Sequence, residues 1–373
     1  MIAWRRAWFG LAALLAAACA ADPAPTPAPD CGSDASAGVH VPAADVICDK
    51  LSSYHLFAGP MAELRPADAL VPYDLATPLF TDYALKYRMV YVPQGQKATI
   101  SPDGVLEFPV GSMLVKTFAI ARDLRQPEGE RRIYETRLLI HRAEGWDVLP
   151  YIWNEQQTDA TYAPIGATVA VEWTHYDGTP RHTDYGIPNR NQCKECHGYT
   201  AAGTRRKVLI PVGPKVKHLN KTYSYDSGSA NQLEHWQELG ILAGVTDTTA
   251  MPALADFANY ALPLTDRVRA YLDANCAHCH NPEGAAAASG LLLAAEISDP
   301  LALGICKVPI RSIGDNSEFD IKPGEPDASG LINRITVTAG PDIMPRLGRT
   351  VVHAEAVEAL RTWIATMSGS CTD

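Results

Sequence analysis

Two copies of the pattern Cys-x-x-Cys-His stand out in the sequence, at residues 193–197 and 276–280. In this pattern two thiols add across the vinyl groups of a haem, and the histidine that follows gives a neutral imidazole to the iron. A zinc site or a redox dithiol would not need a histidine directly after the second cysteine in both copies. The sequence therefore predicts two covalently attached haem c groups. Their thioether residues and proximal iron ligands are expected to be Cys193, Cys196, His197, Cys276, Cys279 and His280.

The chain as a whole has the composition of a globular protein. It has 373 residues, of which 47% are hydrophobic and 20% charged, and this suits two or three domains with real cores. The formal net charge of −10 disfavours nucleic-acid binding. It favours a basic or neutral redox partner, although an acidic surface without a specific partner explains it equally well. No phosphate-binding glycine loop or His-Glu-x-x-His zinc pattern accompanies the two motifs.

The amino-terminal stretch, residues 1–19, resembles an export signal. Arg5 and Arg6 precede an apolar stretch that is too short to span a bilayer, and small residues surround Cys19. Cys19 is a candidate site for a lipid anchor, whereas an ordinary signal peptidase could instead cut at nearby Ala-x-Ala sequences. A spacer rich in Pro and Ala follows, within residues 20–50. We therefore expect a periplasmic protein, either free or anchored to the membrane as a lipoprotein.

Four further cysteines remain once the two motifs and Cys19 are accounted for. An even remainder in an oxidising compartment suggests two disulfides. The most economical pairing joins Cys31 to Cys48 and Cys306 to Cys371, and free buried thiols are the alternative.

The elements that position the motifs differ between the two halves of the chain. Residues 51–185 carry short runs of β-forming residues separated by Gly and Pro, which predicts a β-sandwich or small β-barrel. The first motif follows without a preceding helix, in a haem-binding segment at residues 186–262. Residues 263–373 show helical spacing before the second motif and again near the end of the chain. The predicted fold is a multi-domain α+β chain in which the β domain precedes a mostly helical haem-binding region.

The carboxy-terminal region, from about residue 264, resembles a single-haem cytochrome c. A predicted helix leads into the second motif, Met344 and Pro345 follow well downstream of His280, and an amphipathic helix ends the chain. The resemblance implies a cytochrome c-like domain with Met344 as the sixth ligand of the second haem. A thioether is a soft donor that raises the reduction potential of the iron.

The sixth ligand of the first haem stays open at this point. Met251 lies downstream of His197 and, like the candidate ligand of the second haem, precedes a proline. His218 and His235 are the histidines considered first, and an open or water-bound position is the third alternative.

From about residue 51 onward the chain resembles a family of bacterial dihaem c-type cytochromes whose physiological role is unassigned. The resemblance is carried by short segments at residues 72–75, 78–80, 135–139, 151–155, 219–220, 231–233 and 275–280. It implies two haems and an exported location, but no substrate. Residues 108–116 also loosely resemble β-sheet c-type cytochromes, some of which carry a lysine crosslinked to haem. A lysine that ends a strand is usually solvated, however, and this is the simpler interpretation of Lys116.

These observations predict an exported carrier that passes electrons between periplasmic or membrane redox proteins. Two other classes stay open. In one, an open first haem oxidises a small nitrogen compound or reduces peroxide, and the second haem relays electrons. In the other, the β domain docks a partner and the haems report the redox state.

Overall fold

The computed structural model describes residues 31, 38–43, 46–200, 207–311 and 317–371. The predicted signal at residues 1–19, including Cys19, lies outside these residues, as does most of the predicted spacer at residues 20–50. Within the described ranges, no helix has both the length and the apolar character needed to cross a membrane.

Strands account for most of the regular structure between residues 70 and 231. In chain order they are β1 Leu70–Tyr73, β2 Leu85–Tyr91, β3 Thr99–Ile100, β4 Leu106–Glu107, β5 Met113–Ala121, β6 Arg131–Arg142, β7 Gly145–Trp153, β8 Ala160–Tyr162, β9 Ala167–Thr174, β10 Pro180–Ile187, β11 Gly198–Thr200, β12 Lys207–Leu209, β13 Thr222–Tyr225 and β14 Gly228–Asn231.

The helices are short and mostly follow the strands. They are α1 Cys193–His197, α2 Val216–Leu219, α3 Gln232–Glu238, α4 Leu264–Leu272, α5 Gly330–Thr336 and α6 Ala354–Ala365. A π-helical turn at Asp273–Ala277 continues α4, and 3₁₀ turns occupy Leu51–Tyr54, Met61–Glu63, Ala287–Ser289 and Pro326–Ala328.

The main sheet is antiparallel and has six strands in the order β1-β2-β5-β6-β7-β8. Its central strand β5 is buried at eight of its nine positions, because both faces of the sheet are covered. β1 and β8 form the two edges, so the sheet does not close into a barrel. The hairpin of β9 and β10 forms a separate two-stranded sheet that packs beside β5.

The two faces of the main sheet differ in polarity. One face carries the first core, a continuous apolar layer that includes Met113, Val115 and Leu138. The opposite face carries two apolar clusters instead of one. The second core includes Val90, Leu114, Leu139, Val148 and Cys193, and the third core includes Phe118, Ile120, Trp173, Tyr185 and Ile187.

Charged side chains separate the second core from the third core. They come from β2, β5 and β6, and their positions in the strand register place them on the same face. We call this set the charged strip; it consists of Lys86, Arg88, Lys116, Glu135 and Arg137.

The carboxy-terminal core packs α4 against α6, with α5 alongside. Val268 and Leu272 of α4 meet Leu360, Trp363 and Ile364 of α6. The spacing of these residues explains why this stretch is helical, since each helix buries one apolar stripe. The predicted helix over residues 353–367 is thus confirmed as α6.

The predicted fold class is wrong. Antiparallel strands dominate the described residues, and the six helices have only 4 to 12 residues, so the region after the β domain is not a mostly helical haem-binding region ending in a cytochrome c-like domain. The stretches with helical spacing do form helices, but proline and glycine residues keep these helices short. The helix before the second motif begins after Pro263 and changes to a π-helical turn at Asp273. Between α4 and α5 the described residues are mostly loop.

Both disulfides predicted as the most economical pairing are present. Cys31 bonds to Cys48 and Cys306 bonds to Cys371, with Cα–Cα distances of 5.6 and 5.2 Å. The four cysteines of the two motifs are free thiols. The second disulfide joins cysteines with a sequence separation of 65 and closes a loop around most of the segment that follows the second motif.

Candidate haem-binding sites

The two Cys-x-x-Cys-His motifs lie against each other, although they are far apart in the sequence. The donor atoms of Cys196, His278 and Cys279 all lie within 4.8 Å of one another. The Cys279 thiol also points to the backbone oxygen of Glu195 at 3.7 Å. The motifs therefore meet through the second cysteine of each pair.

The second motif is held at the end of α4. The π-helical turn carries the chain into Cys276, and the buried side chain of Asn275 fixes this turn. The amide of Asn275 accepts a hydrogen bond from the Phe80 backbone nitrogen at 2.7 Å and donates one to the Tyr271 backbone oxygen at 3.1 Å. Asn275 thereby ties the second motif to the segment between β1 and β2.

A cavity of about 330 Å³ opens beside the second motif. Cys276, Cys279, His280 and Met344 all line it. Most of its remaining wall is apolar, as a haem macrocycle requires, and includes Leu291, Leu293, Leu303, Ile321, Leu331 and Ile335. The structure therefore brings together the four residues assigned to the second haem from the sequence.

Arg349 holds the loop that carries Met344. Its side chain is buried, and Nε donates to the backbone oxygen of Met344 at 2.9 Å. The Nη2 atom donates to the Val337 backbone oxygen at 2.7 Å. A guanidinium donating to several carbonyl oxygens has fixed geometry, so it restricts where the Met344 side chain can lie.

His280 has the environment of a neutral ligand. Its Nδ1 atom lies 3.1 Å from the Ser289 hydroxyl. This contact orients the ring and does not involve Nε2. Burial lowers the pKa of His280 to about 4, so the imidazole is neutral at physiological pH. A neutral imidazole with one nitrogen oriented by hydrogen bonding is the form that binds metals.

The first motif begins shortly after β10 ends. Asn189 and Gln192 exchange side-chain-to-backbone hydrogen bonds of 2.9 Å, and this turn leads into α1. Cys193 is buried in the second core, whereas Cys196 faces the second motif. As predicted, no helix precedes this motif in the described chain between β10 and α1.

His197 is oriented by a backbone carbonyl. Its Nδ1 atom lies 2.8 Å from the oxygen of Ile210. Because a carbonyl oxygen can only accept, Nδ1 carries the proton and the lone pair of the neutral ring lies on Nε2. Burial is the main cause that lowers the pKa of His197 to about 4. His197 is thus prepared to ligate through Nε2.

The three candidate sixth ligands of the first haem differ in their surroundings. His218 is 3% exposed and its Nε2 lies 3.0 Å from Asp273, while its Nδ1 is buried without a hydrogen-bond partner. His235 stacks on Tyr225 with ring centroids 3.8 Å apart. Met251 is partly buried against the second core, which also contains Cys193. Met251 thus packs against the same apolar cluster as a residue of the first motif.

The charged strip is the feature of the first site that sequence reasoning missed. The positive charges of Lys116 and Arg137 reach His197, since they contribute to lowering the pKa of its imidazole. Burial raises the pKa of the Cys193 thiol, and Arg137 is near enough to oppose part of that rise. Lys116 is half-buried, so the expectation of a solvated strand lysine is wrong. No local pattern marks these residues, because strand pairing brings them together.

The donor set fits haem c better than a bare metal ion. Cys196, His278 and Cys279 could hold a soft ion such as zinc, with two of the usual four positions supplied by cysteine. That assignment takes one cysteine from each motif and leaves Cys193, Cys276, His197 and His280 without a role. The haem assignment uses both complete motifs and accounts for the apolar cavity as well.

Comparisons with known proteins found no match for the chain. No family model matches it, and neither does any curated protein or solved structure.

Proposed function

We propose that the protein is an exported dihaem c-type cytochrome that carries electrons between periplasmic redox proteins. The observation that carries the proposal is the contact between the two motifs, one of which opens into an apolar cavity that also holds Met344. Two haems bound at motifs that contact each other would be close enough to exchange electrons without a further cofactor. The resemblance to bacterial dihaem cytochromes supports the same assignment.

Each haem, when bound, supplies a one-electron couple between ferric and ferrous iron, with a potential set by its axial ligands and burial. The chain would hold the first group through Cys193, Cys196 and His197. Cys276, Cys279, His280 and Met344 would hold the second. Asn275 and Arg349 keep the second set in place, and the apolar wall excludes water from it.

The proposed location is the periplasm, with Cys19 as a candidate lipid anchor. Two disulfides support an oxidising compartment, because such bonds persist there and are rare in the cytosol. The acidic net charge of −10 suits a neutral or basic redox partner, in the periplasm or at a membrane, and not a nucleic acid. Mass analysis of the mature amino terminus tests the anchor, since a diacylated Cys19 has a mass that a simple cleavage product lacks.

The proposal is tested by producing the chain with haem-attachment machinery in a bacterial periplasm. We expect the intact mass and the pyridine haemochrome absorbance to give two haems per chain, and a redox titration to resolve two one-electron couples. A C193S/C196S variant, which lacks one attachment site, is the matched control and should carry one haem. A wild-type protein that matures without covalent haem would rule the proposal out.

A haem enzyme at the first site is the second candidate. One observation favours it: His218 and His235 already contact Asp273 and Tyr225, so the first iron would have an open sixth position unless Met251 closes it. Such an enzyme would oxidise a small nitrogen compound or reduce peroxide, and the second haem would relay electrons. Carbon monoxide binding to the reduced wild-type protein would favour the enzyme, whereas two low-spin haems that bind no added ligand would favour the carrier.

A further inference from the structure

The charged strip places three cations side by side in neighbouring strands. Arg88 on β2 lies directly opposite Lys116 on β5, and Lys116 lies directly opposite Arg137 on β6. Residues paired in this way have Cβ atoms about 5 Å apart, and like charges at that distance destabilise a sheet. Burial and the neighbouring cations lower the pKa of Lys116 well below its ordinary value, so an anion beside it is needed to keep its ammonium charged.

The chain itself balances only part of this charge. Arg137 pairs with Glu135 through two hydrogen bonds of 2.6 and 2.7 Å, and Arg88 donates through Nη1 to Asp74 at 2.6 Å. Together with Lys86, whose pKa burial lowers to about 7, the strip sets up to four cationic groups against Glu135 and the neighbouring Asp74. The unbalanced charge lies on the β2 and β5 side of the row.

Two donors on that side lack an acceptor. The side chain of Arg88 is 4% exposed, yet its Nη2 atom has no hydrogen-bond partner. Lys116 has its Nζ atom over the ring of Phe118, 4.9 Å from the centroid, and no carboxylate of the described residues lies within ion-pair distance of it. A buried guanidinium nitrogen without an acceptor is costly, so the site is built for an acceptor that the polypeptide does not supply.

The unfilled donors belong to the first haem site. Cys193 packs in the second core with Leu114 and Leu139, which lie on the same sheet face as Lys116 and Arg137 and two positions away along their strands, so the row lies beside the first motif. Haem c carries two propionate carboxylates, which are its only anionic substituents. An acceptor with two oxygens suits a lysine ammonium and a guanidinium nitrogen on adjacent strands.

We propose that Arg88 and Lys116 bind a carboxylate, and that a propionate of the first haem supplies it. This inference rests on the proposed function, because it requires a haem on Cys193 and Cys196. The bond is an ion pair with no covalent step. Its consequence is that the strip neutralises the propionate and, with its remaining positive charge, favours the reduced form of the first haem only.

The test uses the holoprotein and the variant K116M, which keeps the length of the side chain and removes its charge. K116M should fold, because it relieves repulsion within the row and packs on Phe118. We expect the propionate bending band in the resonance Raman spectrum to shift and the first midpoint potential to fall, with the second unchanged. K116R should restore the wild-type band, and K97M, which removes an exposed lysine charge, should alter neither observable.

The Raman band is decisive, since loss of any nearby positive charge would lower the potential. Formate distinguishes a propionate from a free carboxylate. A saturable spectral response to formate in the wild type that is lost in K116M would retain the carboxylate site but overturn the propionate assignment. An unchanged band together with no formate response would overturn the inference entirely. Failure of the proposed function is seen separately, as fewer than two haems in the wild-type protein.

Discussion

The two haem motifs have the same five-residue pattern, but they lie in different surroundings. The second follows a helix and opens into an apolar cavity that contains Met344. The first follows a strand, buries Cys193 in the second core and lies beside the charged strip. In the proposed function, the pattern would determine where a haem is attached, whereas the elements around it would determine the polarity of the site and the sixth ligand. The two sites are therefore expected to differ in stability, potential and accessibility.

Loss of attachment should have the largest effect and should separate the two sites clearly. Both C276S/C279S and C193S/C196S are expected to carry one haem instead of two by mass analysis. C276S/C279S also leaves the cavity of about 330 Å³ unfilled, so the contacts of its apolar wall with a haem are lost and the unfolding free energy should fall. Urea unfolding should thus show C276S/C279S to be the less stable variant. Equal stability of the two variants would contradict the difference between the sites.

Removal of Met344 should change the potential of the second haem alone. M344A replaces a thioether with water or no ligand, and we expect the second midpoint potential to fall by roughly 0.1 V or more, within the range of about 0.8 V that axial ligands span. Spectroelectrochemical titration measures this change. M367A is the matched control, because Met367 packs against the carboxy-terminal core but is not among the residues lining the cavity. If M344A leaves both potentials unmoved, Met344 is not the ligand.

The sixth ligand of the first haem can be identified by replacing each candidate and testing whether the iron then binds carbon monoxide. We expect M251A to bind carbon monoxide after reduction at half of the total haem, because Met251 packs against the core that holds Cys193. H218Q and H235Q should bind none. The absorption change at saturating carbon monoxide gives the fraction directly. A response in H218Q or H235Q, with none in M251A, would transfer the assignment to that histidine.

A smaller effect is expected from acid at the second site. His353 stacks on Phe80 at 4.1 Å and lines a small cavity with Met344, and burial lowers its pKa to about 3. Below its unfolded pKa of about 6.5, the unfolded state binds a proton that the folded state excludes, so stability is lost as the pH falls towards 3. The wild type should lose about 2 kcal/mol more than H353F between pH 7 and pH 5 in urea unfolding. Parallel losses in the two proteins would show that His353 is protonated when folded.

Local patterns in the sequence were sufficient for some features. The strands and α6 depend on neighbouring residues, and these predictions agree with the structure. The joint position of Met344 and His280 at one cavity was expected from the resemblance to a single-haem cytochrome c. The fold class was wrong because helical spacing before Cys276 does not reveal how short each helix is. Length depends on where proline, glycine and tertiary contacts end it.

Other features depend on long-range pairing and had no local signal. Arg88, Lys116 and Arg137 stand on three separate strands, and only the register of β2, β5 and β6 aligns them. The contact between Cys196 and Cys279 likewise requires the whole intervening chain to fold back. Each of these residues, taken alone, has an ordinary explanation in the sequence.

The cavity beside the second motif has a consequence for the life of the molecule before it carries any electron. If the second haem is attached as proposed, a chain that lacks it would keep an unfilled cavity in its carboxy-terminal region, and local opening there would expose the chain to proteases. Under that proposal, haem attachment would protect the chain from degradation as well as provide a redox centre.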